Sequence, residues 1–423
     1  MITAEHTNQK VFYGWWVVVA AGIGSFMSFG PIIAFTFGVF IKPLSEEFGW
    51  SRTDISLAFS LSLFMLSGMA PIVGRLVDRF GARRVIIPSV FIFGLGVTSM
   101  AFLSASLWHF YAVYLVLGLV SVGAATLPYL AVVSQWFDRR RGLALGLAMI
   151  GVGLGTFIMP SLAQHLIDVV GWRSAYAILG VMVIGVTIPV VALFLKETPA
   201  LMGLHPDGAD HTHLTERQAH SEAEGMSSRE AWHAVTFWFI FAAFFLMSVS
   251  VHGCLIHLVP MLTDRGLSDQ SAALATSLLG GALLVGRVGA GYLLDRFTAT
   301  AVATGFLAGA ALGVFLLWCE AIGSLAFLAA ILVGLGVGAE TDLMPYVVSR
   351  YFGLRAFGEI LGWVLMAWGL GGVVGPYLMG VGFDSTGSYS AVLAAFMGAT
   401  VIAAGLMARL GPYRFWEPAV EAA

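Results

Sequence analysis

The sequence predicts an all-α membrane protein in which twelve transmembrane helices form two six-helix bundles. Of its 423 residues, 59% are hydrophobic and 11% are charged, whereas soluble domains carry roughly 25% charged residues. Twelve apolar stretches are long enough to cross a bilayer, which gives the number of helices. An internal repeat relates the two halves of the chain, and it groups the helices into two sets of six.

The apolar stretches set the order of the helices. A helix needs about 20 predominantly apolar residues to cross the hydrocarbon core. The predicted spans, numbered 1 to 12 from here on, cover residues 13–41, 54–74, 84–104, 109–134, 142–165, 173–195, 234–260, 270–292, 299–320, 324–348, 357–382 and 388–410. Span 1 is too long for a cleaved signal peptide and lacks a small-residue cleavage site, so we expect it to stay in the membrane.

Charge and cysteine content argue against several other classes of protein. The net charge of −3 offers no basic surface for nucleic acid, so no such partner is expected. The two cysteines, Cys254 and Cys319, lie in apolar stretches, which argues against a disulfide framework and a cysteine-ligated zinc site. The glycine-rich runs at 151–155 and 369–376 lie within spans and fit close helix packing better than phosphate binding. We therefore expect no enzyme activity, no metal and no cofactor.

The basic residues predict the orientation, because cytoplasmic flanks of spans are enriched in Lys and Arg. With the N-terminus inside, sixteen of the 21 Lys and Arg residues lie in cytoplasmic segments. Arg287 lies within span 8, and the outer segments carry Lys42, Arg52, Arg173 and Arg265. Both termini are therefore predicted to be cytoplasmic, in a multi-pass protein of the plasma membrane or cell inner membrane.

A polar segment at residues 196–232 interrupts the apolar pattern between spans 6 and 7. It predicts a cytoplasmic linker between an N-terminal bundle, residues 1–195, and a C-terminal bundle, residues 233–423. Ser227 and Glu230 have the spacing of a capping box, which predicts a short helix before span 7. A histidine cluster in the segment allows a metal site, although a solvated linker is the simpler interpretation. The cluster comprises His205, His211, His213 and His220.

The two halves repeat several motifs at a nearly constant distance. The sequence GRLVDRF at 74–80 recurs 217 residues later as GYLLDRF at 291–297. Tyr129 in span 4, which follows a proline, recurs at the same distance as Tyr346 in span 10. This repetition predicts a six-helix unit used twice, with a substrate site between the two halves.

The segment GRLVDRFGARR at 74–84 resembles the signature between spans 2 and 3 of the major facilitator superfamily. The resemblance implies alternating access, with a cytoplasmic clasp that holds the gating helices together in one state. Its glycines permit close helix approach, and its aspartate can accept from a helix start and pair with an arginine. Alternatively, the arginines only follow the positive-inside rule. The predicted gating residues are Gly74, Asp78, Arg79, Arg83, Asp295 and Arg296.

Within that superfamily, the chain resembles the bacterial monocarboxylate porter group, which is related to the animal monocarboxylate transporters and the oxalate:formate antiporters. The motifs are YGWW at 13–16, FGWSR at 48–52, HLVP at 257–260 and Arg287 in span 8. The resemblance implies a secondary carrier of small organic monocarboxylates, coupled to protons and functional as a monomer. A same-fold carrier of a drug or an uncharged metabolite, and a non-transporting sensor, are the alternatives.

Arg287 is the predicted substrate ligand. A charge at the centre of a membrane helix costs at least roughly 2.5–3.5 kcal/mol, so it needs a reason. An arginine donates two parallel hydrogen bonds to a carboxylate, and the resemblance gives the span 8 arginine this role. The alternative is a permanent ion pair with Glu340 or Asp342 in span 10. The two interpretations are compatible, because an arginine can hold an internal acid until substrate arrives.

Glu340, Asp342 and His252 are the predicted proton-coupling residues. A carboxyl group in a low dielectric can carry a proton at neutral pH. Because Glu340 and Asp342 are two residues apart on a helix, at most one is expected to face Arg287. Helix-packing contacts are the alternative for all three residues. His257, near the outer end of span 7, is expected to be an interfacial polar residue.

Two departures from these relatives bear on coupling. The span 1 lysine of the animal transporters, and their aspartate one turn before the span 8 arginine, align with Phe35 and Leu283. Span 11 also lacks the lysine of the oxalate:formate antiporters. The proton route of those relatives is therefore not carried over, and one buried cation suits one carboxylate.

Four aromatic residues are predicted to contact the substrate together with Arg287. Tyr129 and Tyr346 each follow a proline, which frees a backbone carbonyl, and their hydroxyls can donate to a substrate. Phe35 and Trp363 would form an apolar pocket for a short carbon chain. Interhelical hydrogen bonds and ordinary packing are the alternatives.

Overall fold

The computed structural model describes residues 12–137, 140–206, 225–294, 296–353, 355–413 and 415. Within these ranges the regular secondary structure is helical throughout. The apolar composition and the long uncharged stretches explain this result, because only internally hydrogen-bonded helices or closed barrels satisfy the backbone in lipid.

The first half contains spans 1 to 6, several of which are broken. Span 1 is interrupted by a π turn, span 4 bends near Ala125, and spans 5 and 6 form one long element that bends at Gly171, where φ is +79°. Their helices are Gly14–Phe26, Gly30–Ala34 and Phe37–Phe48 for span 1, Arg52–Phe80 for span 2, Ala82–Ser99 and Met100–Phe102 for span 3, Leu107–Ala124 and Thr126–Trp136 for span 4, and Arg141–Met182, Val183–Thr187 and Ile188–Phe194 for spans 5 and 6.

The second half contains spans 7 to 12, which follow a short 3₁₀ turn, Pro199–Met202, and the helix Ser228–His233. The spans are Val235–Asp264, Asp269–Leu294, Ala299–Trp318, Ser324–Phe352, Phe357–Thr386 and Ser390–Ala408. Of the predicted linker histidines, His205 lies in the described part of the chain, and His211, His213 and His220 lie outside it.

The helices account for the twelve predicted spans. Among the described residues, nine helices are long and apolar enough to cross a membrane, and bent span 10 makes ten. One of these, Leu143–Phe194, has 52 residues and contains two spans joined at Gly171. Arg52–Phe80 is the remaining span. It carries several serines on its buried faces, among them Ser56, Ser60 and Ser62, and is therefore less apolar than the others.

The predicted capping box before span 7 is confirmed. The Ser227 side chain accepts a hydrogen bond from the Glu230 N–H at 3.3 Å, and the Glu230 carboxylate accepts from the Ser227 N–H at 2.8 Å. These backbone and side-chain bonds from Ser227 lower the pKa of Glu230. The box fixes the start of Ser228–His233, whose Trp232 packs edge-to-face on Trp363 of span 11.

One end of the bundle is closed between the two halves, and the other is open. We call the end that carries residues 49–51, 265–268 and 387–389 the closed end, and the opposite end the open end. Glycines on spans 2 and 11 show how the distance between the two halves changes from the closed end to the open end. A Cβ on Gly380 would lie 2.8 Å from Thr53, and one on Gly369 would lie 2.9 Å from Ser67. Further along the same two helices, a Cβ on Gly362 or Gly74 would meet nothing within 4 Å.

Spans 5 and 8 diverge in the same way. A Cβ on Gly280 would lie 2.3 Å from the carbonyl oxygen of Thr156, and one on Gly153 would lie 2.9 Å from Leu284. One on Gly146, toward the open end, would meet nothing within 4 Å. The two halves are therefore in contact near the closed end and separate toward the open end.

Candidate functional site

Arg287 and Asp342 form an ion pair between spans 8 and 10. The Arg287 Nε lies 3.7 Å from the Asp342 Oδ2, and the two side chains are 22% and 39% exposed. Gly338, one turn before Asp342, makes this possible, because a Cβ there would lie 1.9 Å from the carbonyl oxygen of Leu283. The close approach of the two helices brings the cation and the acid together while both side chains stay partly exposed.

Glu340 lies on a different side of span 10, as its spacing from Asp342 predicts. Its side chain is fully buried, and neither carboxyl oxygen has a hydrogen-bond partner among the described residues. The indole of Trp368, on span 11, lies beside the carboxyl, but its N–H makes no hydrogen bond of good geometry to it. Span 10 therefore carries one acid paired with Arg287 and a second acid enclosed by protein.

His252 also contacts Trp368. The two rings meet edge-to-face, with 5.1 Å between their centroids. The Ser248 hydroxyl donates to the Trp368 carbonyl oxygen at 2.6 Å, so the His252 Nδ1, 3.1 Å from both the Ser248 hydroxyl and its carbonyl, acts as the donor. Half-buried Trp368 of span 11 thus contacts buried His252 of span 7 and lies beside buried Glu340 of span 10.

A second polar cluster joins the two halves at the closed end. The Asp264 carboxylate at the end of span 7 accepts from Lys42 at 2.9 Å and from Arg52 at 2.7 Å, both from the first half. The Asp384 carboxylate at the end of span 11 accepts from the Arg52 N–H at 3.2 Å and from the Thr53 N–H at 2.8 Å. Two acids of the second half therefore hold the start of span 2.

Aromatic and imidazole groups complete this cluster. The Arg52 guanidinium lies 3.7 Å from the centre of the Phe383 ring and donates to the Tyr389 hydroxyl. Fully buried His257 lies 2.8 Å from the Ser56 hydroxyl and 3.1 Å from the Tyr389 hydroxyl. We call these residues the closed-end latch: Lys42, Arg52, Thr53, Ser56, His257, Asp264, Asp384 and Tyr389.

Comparison with known proteins assigns the family. The family model of the Major Facilitator Superfamily matches residues 14–376 and 258–421. This chain belongs to the major facilitator superfamily. It is 30% identical to monocarboxylate transporter 11 of Mus musculus, across 90% of this chain and 83% of that protein. It is 31% identical to the human protein of the same name, across 89% and 79% of the two chains.

A solved structure shows the same fold. A D-xylose–proton symporter superposes with a TM-score of 0.74 at 15% identity and covers 95% of this chain and 98% of its own. The predicted fold of twelve membrane helices in two bundles is confirmed, and the chain is a multi-pass membrane transporter rather than an enzyme.

The structure also places the predicted aromatic residues of this transporter. Tyr129 is fully buried against Gly24 of span 1, and its hydroxyl has no hydrogen-bond partner among the described residues. The Tyr346 hydroxyl donates to the Leu294 carbonyl at the end of span 8, at 3.4 Å. Phe35 follows the π turn of span 1 and is 6% exposed. The repeat-related tyrosines therefore have different surroundings, and the contacts of these residues with substrate stay predictions.

The superfamily signature between spans 2 and 3 lies at the open end. Gly74 and Arg79 are exposed there. Arg83 donates through its backbone N–H to Glu197, at the start of the predicted linker, at 3.2 Å, and through its guanidinium to the Ala192 carbonyl of its own half at 2.6 Å. In the second half, Arg296 packs 4.2 Å over the Tyr292 ring. The Asp78 side chain and Asp295 lie outside the described part of the structure.

Sequence reasoning missed the closed-end latch as a unit. It quoted Arg52 and His257 within subgroup motifs, but it treated His257 as an interfacial polar group. A usable indication was present, because Lys42 and Arg52 are two of the four basic residues on the predicted outer side. Both residues depart from the positive-inside bias, and Asp264 pairs with both.

Proposed function

We propose that this transporter carries a small organic monocarboxylate together with a proton by alternating access. The observation that carries the proposal is the partly exposed Arg287–Asp342 pair between spans 8 and 10. The names of the two mammalian relatives support the substrate class. No nucleotide-binding motif occurs in the sequence, so the energy is expected to come from ion or substrate gradients.

The geometry of the pair suits exchange of one carboxylate for another. At 3.7 Å, the Arg287 Nε is farther from the Asp342 oxygen than the 2.7–2.9 Å typical of a strong charge-assisted hydrogen bond. A substrate carboxylate that engages the guanidinium fork with two parallel bonds would compete well against this internal acid. Arg287 is then the substrate ligand and Asp342 its partner when the site is empty of substrate.

Proton coupling follows from the charge that displacement leaves behind. Once a substrate anion neutralises Arg287, an ionised Asp342 loses its partner, and an uncompensated charge inside the protein is costly. Taking up a proton removes that cost, so one proton accompanies each monoanion and the pair adds no net charge. Glu340 and His252, which both lie beside Trp368, are the other candidates for the proton-carrying group.

Orientation and gating complete the proposal. The distribution of Lys and Arg favours a cytoplasmic open end with both termini inside the cell, in a plasma or inner membrane. The structure then corresponds to an inward-open state. In the outward-open state, Asp78 and the basic residues around it would clasp the cytoplasmic ends of the two halves. We propose that a single chain suffices for transport.

The test is ligand-induced stabilisation of the purified protein. Acetate, propionate and butyrate are compared with the neutral amides of the same acids and with the dicarboxylate succinate. The proposal expects the melting temperature to rise with a monocarboxylate and not with its amide. Equal stabilisation by acids and amides, or by a cationic drug panel alone, contradicts a carboxylate carrier and favours a carrier of another substrate.

A further inference from the structure

We propose that His257 is a proton-binding site that controls whether the closed-end latch can form. The proposal concerns the equilibrium between states of the protein and does not depend on which substrate is carried. It rests on the hydrogen bonds around one buried imidazole, whose directions are fixed by the donors and acceptors of its neighbours.

The hydrogen bonds of the latch run in one direction around a closed ring. The Arg52 guanidinium has only donors, so it donates to the Tyr389 hydroxyl, whose own proton is left for the His257 Nδ1 at 3.1 Å. The Ser56 hydroxyl donates to the Arg52 carbonyl at 2.7 Å, so its oxygen accepts from the His257 Nε2 at 2.8 Å. The ring begins and ends on Arg52.

This direction assigns the state of the imidazole. The Nε2 also lies 3.1 Å from the Pro376 carbonyl, which can only accept, so the Nε2 carries the proton. The Nδ1 accepts from Tyr389 and therefore carries none. His257 is the neutral Nε2–H tautomer, and the closed latch needs it in that form.

A second proton on His257 is incompatible with the closed latch. It would bind to the Nδ1, so that an N–H would face the O–H that Tyr389 donates. It would also place a cation beside Arg52 in a fully buried position. Asp384 on span 11 and Asp264 on its own helix are the acids that face this region, and Lys42 faces it through Asp264. Asp384 already accepts from two backbone N–H groups of the first half, and Asp264 already pairs with two of its cations. Neither acid is therefore free to neutralise the imidazolium.

The conformational consequence follows from linkage. Ser56 and Arg52 belong to the first half, and His257 and Tyr389 belong to the second, so separation of the halves breaks the ring and releases the imidazole. A proton that binds the separated form better than the closed form shifts the equilibrium toward separation. Because one proton is involved, the ratio of separated to closed molecules rises at most about tenfold per pH unit.

The experiment measures the distance across the closed end in purified full-length protein without substrate. Spin labels are placed at Ala105, between spans 3 and 4, and at Ser324, at the start of span 10, after Cys319→Ser and Cys254→Ala. Both labelled positions are exposed. Pulsed electron resonance then gives the distance distribution between pH 8 and pH 5. We expect a longer-distance population that grows several-fold as the pH falls through the histidine range.

Two variants and a control make the test specific. His257→Gln keeps one donor and one acceptor but cannot be charged, so its distribution should not respond to pH. Tyr389→Phe removes the hydroxyl that donates to the Nδ1 and should raise the separated population already at pH 8. His165→Gln, at an exposed histidine of span 5, should respond to pH as the parent does.

Two results overturn the proposal. One is a parent distribution that does not change between pH 8 and pH 5. The other is a pH response that persists unchanged in His257→Gln, since the proton would then act elsewhere. If His257→Gln does not fold, Tyr389→Phe still decides the matter, because an unaltered separated population at pH 8 contradicts the ring. Neither readout requires carboxylate transport, so failure here is distinct from failure of the proposed function.

Discussion

The Nε of Arg287 lies 3.7 Å from the Oδ2 of Asp342 on the neighbouring helix, and both side chains are partly exposed. Spans 8 and 10 approach closely enough for this contact because Gly338 has no side chain to separate them. In the proposed transport cycle, a substrate carboxylate takes the place of this internal acid on Arg287. The first two predictions test this proposed exchange against a fixed structural bridge.

We predict that Arg287→Lys stays folded in the membrane but loses most carboxylate uptake. Lysine keeps the charge but not the planar fork, so at least one charge-assisted hydrogen bond to the substrate is lost. A bond of that kind contributes about 1.5–3 kcal/mol, which is roughly a 10- to 100-fold loss of affinity. Uptake of labelled butyrate into proteoliposomes measures it. Arg409→Lys, at an exposed arginine after span 12, is the matched control, and parental uptake by Arg287→Lys contradicts the assignment.

We predict that neutralising the coupling acid separates accumulation from exchange. Asp342→Asn and Glu340→Gln are compared, since the first acid is paired with Arg287 and the second is fully buried. The variant that removes the proton-carrying group should lose accumulation driven by a pH gradient and keep exchange between substrate pools. In the parent, uptake should rise as external pH falls and change little with membrane potential.

The controls for coupling are simple. Asp269→Asn, at an exposed acid in the first turn of span 8, should accumulate substrate as the parent does. If Asp342→Asn and Glu340→Gln both accumulate substrate in response to a pH gradient, neither acid carries the proton. His252, whose ring packs on Trp368 beside Glu340, is then the next residue to replace.

Much of the fold and part of the site follow from the sequence, for identifiable reasons. Apolar length fixes the number of spans, and the isolated charges of spans 8 and 10 single out Arg287, Glu340 and Asp342. Helical spacing also predicts that the two acids face different ways. Which acid pairs with Arg287 depends on the rotation and close approach of two helices, which Gly338 sets through packing and not through a local pattern.

The closed-end latch could not be predicted in the same way. Its residues come from four spans and from the connection before span 12, and each looks ordinary in its own segment. His257 and Ser56 are 201 residues apart, and Arg52 and Tyr389 are 337 apart. Only the docking of the two halves brings them together, and the state in which they dock is a property of the whole bundle.

We predict that Asp264→Asn favours opening of the closed end. The carboxylate accepts from Lys42 and Arg52 at once, so its loss leaves two cations of the first half facing a neutral amide. Partly exposed ion pairs contribute at most about 1 kcal/mol each. The ratio of opened to closed molecules should therefore rise by at most roughly 5-fold if one pair contributes and roughly 30-fold if both do. The rate of maleimide labelling of a cysteine introduced at Thr53 measures the opening. If this cysteine is labelled no faster with Asp264→Asn than with Asp264 intact, the ion pairs do not hold the closed end together.

The last prediction uses two buried glycines of the second half that differ in what they face. A Cβ on Gly280 would lie 2.3 Å from the Thr156 carbonyl oxygen in the other half, whereas one on Gly334 would lie 2.2 Å from the Leu279 carbonyl in the same half. Backbone atoms cannot move aside as a flexible side chain does, and overpacking costs about 1–3 kcal/mol. For Gly280→Ala the halves can escape this cost by separating. For Gly334→Ala the clash persists in both states.

Gly280→Ala should therefore shift the protein toward the state opened at the closed end, and Gly334→Ala should lower the melting temperature without such a shift. The spin-label distance across the closed end and a thermal melt measure the two effects on the same samples. Gly289→Ala, on the same helix as Gly280 with the nearest atom 4.0 Å from its Cβ, should change neither. Two results would contradict this prediction: a longer spin-label distance in Gly334→Ala, or an unchanged distance in Gly280→Ala. Either would show that the contact between spans 5 and 8 does not open when the two halves move apart.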